Sequence, residues 1–229
     1  MTARVLSVQV GRPETHPVPA GAGDGEDDVQ TFFRSAIAKR TVTGAVAVGQ
    51  LGLEGDQVED TRVHGGPDQA VLAYAAAHYP RWRMEWGRND VTNGGFGENL
   101  TVDGLDELTV CLGDRWRIGT VLLEVTKPRS PCNRLAWYQG REDLIQRVRL
   151  TGRSGWYLRV LTPGQLSAGM PIELTERRCP DFTVRRAALA MAERTANPTA
   201  ASALMQCEAL AADWRLRLAK EGLQRMASA

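Results

Sequence analysis

A ten-residue segment, TKPRSPCNRL at positions 126–135, places one cysteine among three cationic side chains. Lys127, Arg129 and Arg134 all lie close to Cys132 in sequence. The two prolines of the segment fix φ and remove two backbone donors, which stiffens the chain around the thiol. Neighbouring cations favour a thiolate, the form that attacks electrophiles or binds soft metals. The segment therefore indicates a nucleophile or metal ligand, and the alternative is a surface turn with an incidental cysteine.

Two glycine-dense loops could bind an anion beside such a thiolate. The first is GLEGDQVEDTRVHGGPDQAV, in which His64 is followed by Gly65 and Gly66. The second is NGGFGENLTV, which has Glu98 and Asn99 where it enters a strand-like run. Paired glycines let the backbone approach a ligand closely and direct its amides at negative charge. Each motif is weak by itself, but together with the cationic cysteine segment they suit a ligand with a phosphate and a soft reactive centre.

The composition is that of a soluble globular protein with no overall charge bias. Of the 229 residues, 43% are hydrophobic and 24% charged, and 28 Lys+Arg against 27 Asp+Glu leave a formal charge of +1. This balance argues against stable nucleic-acid binding and against a membrane-surface role. No apolar run approaches the length of about 20 residues that spans a bilayer.

The cysteines and the N-terminus favour a cytoplasmic location. Cys111, Cys132, Cys179 and Cys207 are widely spaced and form no CxxC pair. We therefore expect neither a disulfide framework nor a zinc finger, and a reducing compartment is the default. The first residues alternate as a strand does and lack the long apolar stretch of a signal peptide.

These loops must be held by a framework of short strands. Residues 4–10 predict the first strand, and residues 12–30, rich in Pro, Gly and acid, predict a mobile loop rather than a calcium site. Short β-prone runs then recur between turn residues, which favours a β-barrel or sandwich. They are SAIAKR, GAVAVG, AVLAY, ENLTV, LTVCLG, RWRIG, VLLEVT, GWYLRVL and MPIEL. One helix is predicted at residues 76–86, with Pro80 in its first turn.

Residues 184–226 are rich in Ala, Leu, Arg and Met, a composition typical of helices, and predict a small bundle of two or three helices. Two apolar faces have helical spacing, one formed by Val184, Ala188 and Met191 and the other by Leu210, Trp214 and Leu218. Thr183 and Thr199 are the expected N-caps. We interpret the cationic side of the last helix, Arg215, Arg217 and Lys220, as a solvated face.

The ordered series GLEGD, VHGGPDQAV, HYPRW, GGFGENLTVDGL, GDRWRIG and LLEVTKPRSPCNRL resembles the MOSC domain, and especially its YiiM-like group. The resemblance runs from about residue 36 to residue 218. It implies a mainly β fold, a bent MOSC β-barrel with few helices over residues 1–178. A C-terminal three-helix domain would follow over residues 179–229. The acidic loop near residues 17–28 lies outside the family pattern.

The resemblance also implies a cofactor and a reaction. The barrel would bind the molybdenum cofactor, a pterin-dithiolene with molybdenum and a terminal phosphate, and Cys132 would be the catalytic residue that ligates the metal. The residues expected to bind the cofactor are Cys132, Arg129, Lys127, His64, Gly65, Gly66 and Asn99. The implied activity is reduction of small N-hydroxylated compounds such as hydroxylamino purines. Electrons would come from a separate flavin-containing reductase, since the sequence has no GxGxxG and no CxxC of its own.

Other functions stay open at this point. A carrier of sulfur or molybdenum cofactor could use a Cys132 persulfide. A cysteine hydrolase could pair Cys132 with His64, although no orienting carboxylate or oxyanion hole is identifiable. A purely structural β protein would leave the three motifs unexplained. The sequence is compatible with a homodimer and does not fix the oligomeric state.

Overall fold

The computed structural model describes residues 2–19, 31–61 and 64–227, with side chains as far as residue 223. The strands are β1 Arg4–Val10, β2 Glu14–Pro17, β3 Phe32–Ser35, β4 Arg40–Thr41, β5 Val46–Gly49, β6 Gly52–Leu53, β7 Val71–Ala75, β8 Leu100–Asp103, β9 Asp114–Ile118, β10 Val121–Pro128, β11 Trp156–Thr162, β12 Gly164–Leu166 and β13 Glu173–Arg177. The helices are α1 His78–Trp86, α2 Asn133–Gln139, α3 Leu144–Thr151, α4 Val184–Ala192, α5 Pro198–Met205 and α6 Ala212–Ala227, with a 3-10 turn at Pro67–Gln69.

Eight strands form one curled sheet in the order β13-β9-β10-β11-β7-β8-β1-β4. Register shifts occur in the β1–β8, β10–β11 and β13–β9 pairs. Such bulges add local twist and bend a strand, which gives the half-barrel its curvature. Strands β7 and β8 run parallel, and α1 lies in the crossover that joins them. The predicted bent, mainly β fold is confirmed.

The first strand also binds the end of the barrel. Beyond its pairing with β8, the amide of Val5 donates to the carbonyl of Met170 at 2.9 Å, and Ile172 donates to Ala3 at 2.9 Å. These bonds connect the beginning of the described chain to residues that follow β12. The first residues of β1 therefore pair, on the side away from β8, with a segment that lies far from them in sequence.

The C-terminal helices share the hydrophobic core of the sheet. Trp116 and Trp156 of the sheet belong to the same buried cluster as Val184, Leu210 and Trp214. Strand β10 is buried along nearly its whole length, since α4 covers one of its faces. A second, aromatic cluster lies under α1, where Tyr74, Tyr79, Trp82, Trp86 and Phe96 pack together. A domain boundary at 178/179 stays a prediction.

The predicted first strand and the first helix are both present. Strand β1 has the expected bounds, and α1 covers His78–Trp86 with Pro80 in its first turn. His78 is buried and bonds to Glu107 through Nε2 at 2.6 Å, so it has a packing role.

Local predictions were wrong at three places, and two helices were missed. Of the SAIAKR run, only the first and last residues, Ser35 and Arg40, lie in strands. Residues 14–17 form β2, which pairs with β3, instead of a loop. The LTVCLG run makes a turn with a single bridge at Cys111, because the carboxylate of Asp114 accepts the Cys111 amide at 3.0 Å. Helices α2 and α3 follow the cysteine segment and were not predicted. The acidic loop prediction lies mostly at residues 20–30, outside the described residues.

The C-terminal helices largely follow their predicted pattern. Trp214 and Leu218 are buried on one face of α6, whereas Leu210, predicted on the same face, is buried just before that helix begins. Thr183 caps α4 by accepting the amide of Arg186 at 3.2 Å. Thr199 does not cap α5: Asn197 does, by accepting the amide of Ala200 at 3.1 Å, with Pro198 as the first helical residue. Asn197 is a better N-cap candidate than Thr199, because it is followed by Pro198 and proline favours the first position of a helix.

The prediction that the cysteines form no disulfide framework was wrong for one pair. Cys179 and Cys207 form a disulfide with a Cα–Cα distance of 5.9 Å and a sequence separation of 28. The bond ties the segment after β13 to the connection between α5 and α6, which spacing along the chain cannot reveal. The cysteine pattern therefore gives no indication of the redox compartment. Among the described helices, none combines the length and apolar character needed to cross a bilayer.

Candidate functional site

A cavity of about 370 Å³ opens between the two glycine loops and the segment that follows β10. We call it the Cys132 cavity. It brings together six of the seven predicted site residues, namely His64, Gly65, Gly66, Asn99, Arg129 and Cys132. Its size lies in the range of small-molecule sites, which is roughly 300–1,000 Å³.

Cys132 occupies the turn from β10 into α2. It is the N-cap residue of that helix, with an extended backbone at φ −126° and ψ 165°. Its carbonyl accepts the amides of Leu135 at 3.1 Å and Ala136 at 3.3 Å. The thiol is free and half-buried, whereas the other free cysteine, Cys111, is buried. Cys132 is thus the accessible thiol of the described chain.

Arg129 supplies a buried positive charge beside this thiol. Its backbone amide donates to Gly155 at 3.0 Å, and only 7% of the residue is exposed. No described carboxylate lies within ion-pair distance of its guanidinium. Arg134 lines the same cavity from the first turn of α2. A buried cation without a counter-ion is costly unless an anion is supplied.

The charges in the cavity also act on a histidine and a tyrosine. Burial lowers the pKa of His64, and the charges of Arg129 and Arg134 lower it further, with Asp60 opposing them. The imidazole is therefore neutral at neutral pH. Burial raises the pKa of the Tyr157 hydroxyl, while Arg129 acts in the opposite direction.

The glycines of the loops are required by their backbone conformations. Gly65 and Gly66 have φ of 76° and 79°, which side-chain-bearing residues rarely adopt. A Cβ at Gly97, where φ is 75°, would lie 3.1 Å from Ile37. These positions keep the cavity wall at the level of the backbone.

Asn99 lines the cavity, but its polar atoms are already engaged. Its Oδ1 accepts the amide of Leu72 at 3.0 Å, and its Nδ2 donates to Asp56 at 2.8 Å. Asp56 also pairs with Lys39 and accepts the amide of Gly11 at 2.7 Å. Asn99 therefore holds its part of the cavity wall in place through Leu72 and Asp56.

Lys127 is the predicted site residue that the structure places elsewhere. Its Nζ lies 2.5 Å from Asp213 of α6 and 5.7 Å from the centre of the Tyr157 ring. The residue is buried and does not line the cavity. Strand alternation could not predict its direction, because β10 is covered on both faces.

Glu98 stabilises the glycine loop that forms one wall of the cavity. It was not predicted as a site residue. It is fully buried and accepts bonds from the hydroxyls of Tyr79 and Thr101, the latter at 2.8 Å. It also accepts the amides of Gly94 at 2.7 Å and Phe96 at 3.1 Å. A carboxylate directly after a glycine-rich turn was the available signal. It fixes the loop that forms one wall of the cavity.

Known proteins resemble this chain in sequence over most of its length. The profile of the MOSC domain matches residues 60–173, which include the cysteine segment. YiiM of Escherichia coli is 43% identical over 156 residues, which cover 67% of this chain and 69% of that protein. A protein of Gibberella moniliformis called "Reductase" is 37% identical over 185 residues, 79% of this chain but 30% of that longer protein.

A solved structure agrees over nearly the full length. The crystal structure of YiiM from Geobacillus stearothermophilus superposes with a TM-score of 0.77 at 32% identity, and the match covers 96% of this chain and 98% of that one. The agreement includes the region of the C-terminal helices. The chain therefore belongs to the MOSC domain family and is a YiiM-like member of it.

Proposed function

We propose that this protein binds the molybdenum cofactor in the Cys132 cavity and reduces N-hydroxylated small molecules. The observation that carries the proposal is the presence in one cavity of an accessible thiol, Cys132, and of a buried guanidinium, Arg129, that has no ion-pair partner among the described residues. MOSC domains are associated with this cofactor, and the "Reductase" relative supports an oxidoreductase.

The residues present fit the chemistry of the cofactor. Thiolate sulfur is a suitable soft ligand for molybdenum, and Cys132 supplies it. Within the described chain, no group of three His, Cys, Asp or Glu side chains could hold a metal ion. A metal held through one cysteine needs further ligands from outside the protein, and a dithiolene supplies two sulfurs. Arg129 and Arg134 offer the positive charge that a terminal phosphate requires.

The protein side chains have separate tasks in this proposal. Cys132 would hold the cofactor, which would supply two-electron oxygen-atom-transfer chemistry for an N–OH group. Reduction of R–NHOH to R–NH2 and water consumes two electrons and two protons. His64, held neutral by burial and by the neighbouring arginines, is suited to hydrogen-bond the N–OH group. Asn99 and Glu98 keep the loops rigid.

The proposed reaction needs an electron donor, which we expect to be a separate protein. The sequence has no dinucleotide fingerprint and no CxxC pair for an iron–sulfur centre. We expect a flavin-containing reductase to supply the two electrons. The fungal "Reductase" is compatible with this, since the region similar to this chain is 30% of a longer protein.

The test compares Cys132→Ser with Cys111→Ser. A serine hydroxyl is a poor soft-metal ligand, so Cys132→Ser should lose reduction of a hydroxylamino purine with a supplied electron donor. Circular dichroism should show an intact fold. Cys111, whose thiol faces the carbonyl of Pro180 at 3.6 Å, should tolerate serine and keep its activity. A folded Cys132→Ser protein with normal molybdenum content and normal turnover would refute the proposal.

A carrier of sulfur or cofactor is the second candidate, because Cys132 is the accessible free thiol of the described chain. A persulfide on Cys132 would make the protein a sulfur carrier. Metal analysis after expression with ample molybdate separates the two functions. Stoichiometric molybdenum supports the enzyme, and a persulfide without molybdenum supports the carrier.

A further inference from the structure

A second concave surface lies on the other side of the cysteine segment. It is a cleft of about 430 Å³ between residues 128–131, helix α3 and the C-terminal helices α4 and α6. We call it the arginine cleft, because its cationic side chains are Arg129, Arg149, Arg185, Arg194 and Arg217. Of the residues that the structure describes, none lining this cleft is acidic.

Most of this positive charge has no carboxylate beside it among the residues that the structure describes. Arg194 pairs with Glu221 at 2.8 Å, and the guanidinium of Arg185 donates to the carbonyls of Arg149 and Leu150, each at 3.1 Å. Arg149 and Arg217 are exposed and have no ion-pair partner in the described chain.

Arg129 makes the cleft more than a charged surface. Only 7% of this residue is exposed, and it lines both the cleft and the Cys132 cavity. No described carboxylate pairs with it. A buried guanidinium directed at concave space keeps its charge at a cost that an anion would relieve. Its position in the shared wall places that charge within reach of a ligand in the cleft.

The remaining walls are apolar. They come from α3, α4 and α6 and include Val148, Leu189, Met191 and Trp214. Inorganic phosphate alone would leave this surface unused, whereas an organic phosphate could cover it with its body. The concave shape suits a small molecule better than the face of an acidic protein, since most of a small ligand's surface is buried in such a cleft.

From these features we infer that the arginine cleft binds a phosphate ester with an aromatic or apolar body, such as a nucleoside monophosphate. The phosphate contacts Arg149 and Arg217, and the body lies against the apolar wall near Trp214. The site adjoins the cofactor site, since Arg129 lines both, but its phosphate contacts lie in the cleft and do not depend on the proposed reductase activity. No earlier prediction included it, because Arg217 was interpreted as part of a solvated face.

The test measures binding of AMP to the full-length protein as purified, by calorimetry, without any redox assay. AMP should bind saturably, and about tenfold more tightly than either inorganic phosphate or adenosine, since only AMP uses both halves of the cleft. The double variant Arg149→Ala/Arg217→Ala should weaken AMP binding by about tenfold or more. Both side chains are exposed, so the fold should persist, and circular dichroism checks this.

Two controls locate the site. Arg117→Ala removes an exposed arginine from β9, outside the cleft, and should leave AMP affinity unchanged. His64→Ala alters the Cys132 cavity and should also leave it unchanged. Absence of saturable AMP binding, or equal affinity in wild type and the double variant, would overturn the inference. So would loss of binding in His64→Ala alone, or equal affinities for AMP and inorganic phosphate.

Discussion

Reduction of the Cys179–Cys207 disulfide should lower the free energy of unfolding by roughly 3.5 kcal/mol. The two cysteines are 28 residues apart. A cross-link removes conformational entropy from the unfolded chain in proportion to the logarithm of the loop it closes, which gives about 3.5 kcal/mol at this length. Cys207 is buried, so reduction also leaves a packed thiol but no large cavity.

The assay is urea unfolding of wild type with and without a reductant, followed by circular dichroism. On reduction, the urea concentration at the midpoint of unfolding should fall. The free energy of unfolding should also decrease more steeply with urea concentration, because the unfolded chain without the disulfide exposes more surface. Cys179→Ala/Cys207→Ala is the matched control, and its midpoint should not respond to the reductant. Identical midpoints for oxidised and reduced wild type would show that the loop-entropy argument fails for this protein.

Three further predictions concern single side chains. Asp213→Asn should lower the free energy of unfolding by roughly 1–3 kcal/mol, because it removes the carboxylate that pairs with buried Lys127. Lys127→Met should lower the free energy of unfolding by less and should keep the cofactor content. A larger loss of stability for Lys127→Met than for Asp213→Asn would contradict this order. Arg129→Ala should weaken cofactor binding by about 1.5–3 kcal/mol, measured as the pterin content that remains after dialysis. The control Arg117→Ala should retain as much pterin as wild type. Equal retention in the two variants would count against the anion site. His64 has a lowered pKa in the folded state, so the unfolded imidazole binds its proton more tightly and stability falls as pH drops below about 6.5. Between neutral pH and pH ~5 wild type should therefore lose more stability in urea unfolding than His64→Gln, and parallel losses would disprove the effect.

The strands and the C-terminal helices could be predicted because their burial follows a simple period. Strand β9 alternates in burial, and the buried Trp214 and Leu218 lie one helical turn apart in α6. Helices α2 and α3 contribute few buried apolar residues, among them Leu135 and Leu144, so their sequences give a weak helical signal.

Six residues that line the Cys132 cavity could be named from the sequence, but the contacts that position them could not. Cys132 and Arg129 are neighbours in sequence, and a stiff segment keeps them near each other. The direction of Lys127 depends on α6, which lies 86 residues further along the chain. The hydrogen bond between Asn99 and Asp56 could not be predicted either, because it forms only when the loops that carry the two residues have folded. Tertiary contacts of this kind leave no local pattern.

The bonds between residues 3–5 and residues 169–172 have a consequence for synthesis. A ribosome makes β1 first, but Ala3 and Val5 receive their partners only when Met170 and Ile172 have emerged. Until then one edge of β1 carries unpaired backbone groups, which can pair with another nascent chain. Contacts so distant in sequence also make closure slow, because loop entropy is lost before they form. We therefore expect the half-barrel to close late in translation, with chaperones raising the yield of folded protein at high expression levels.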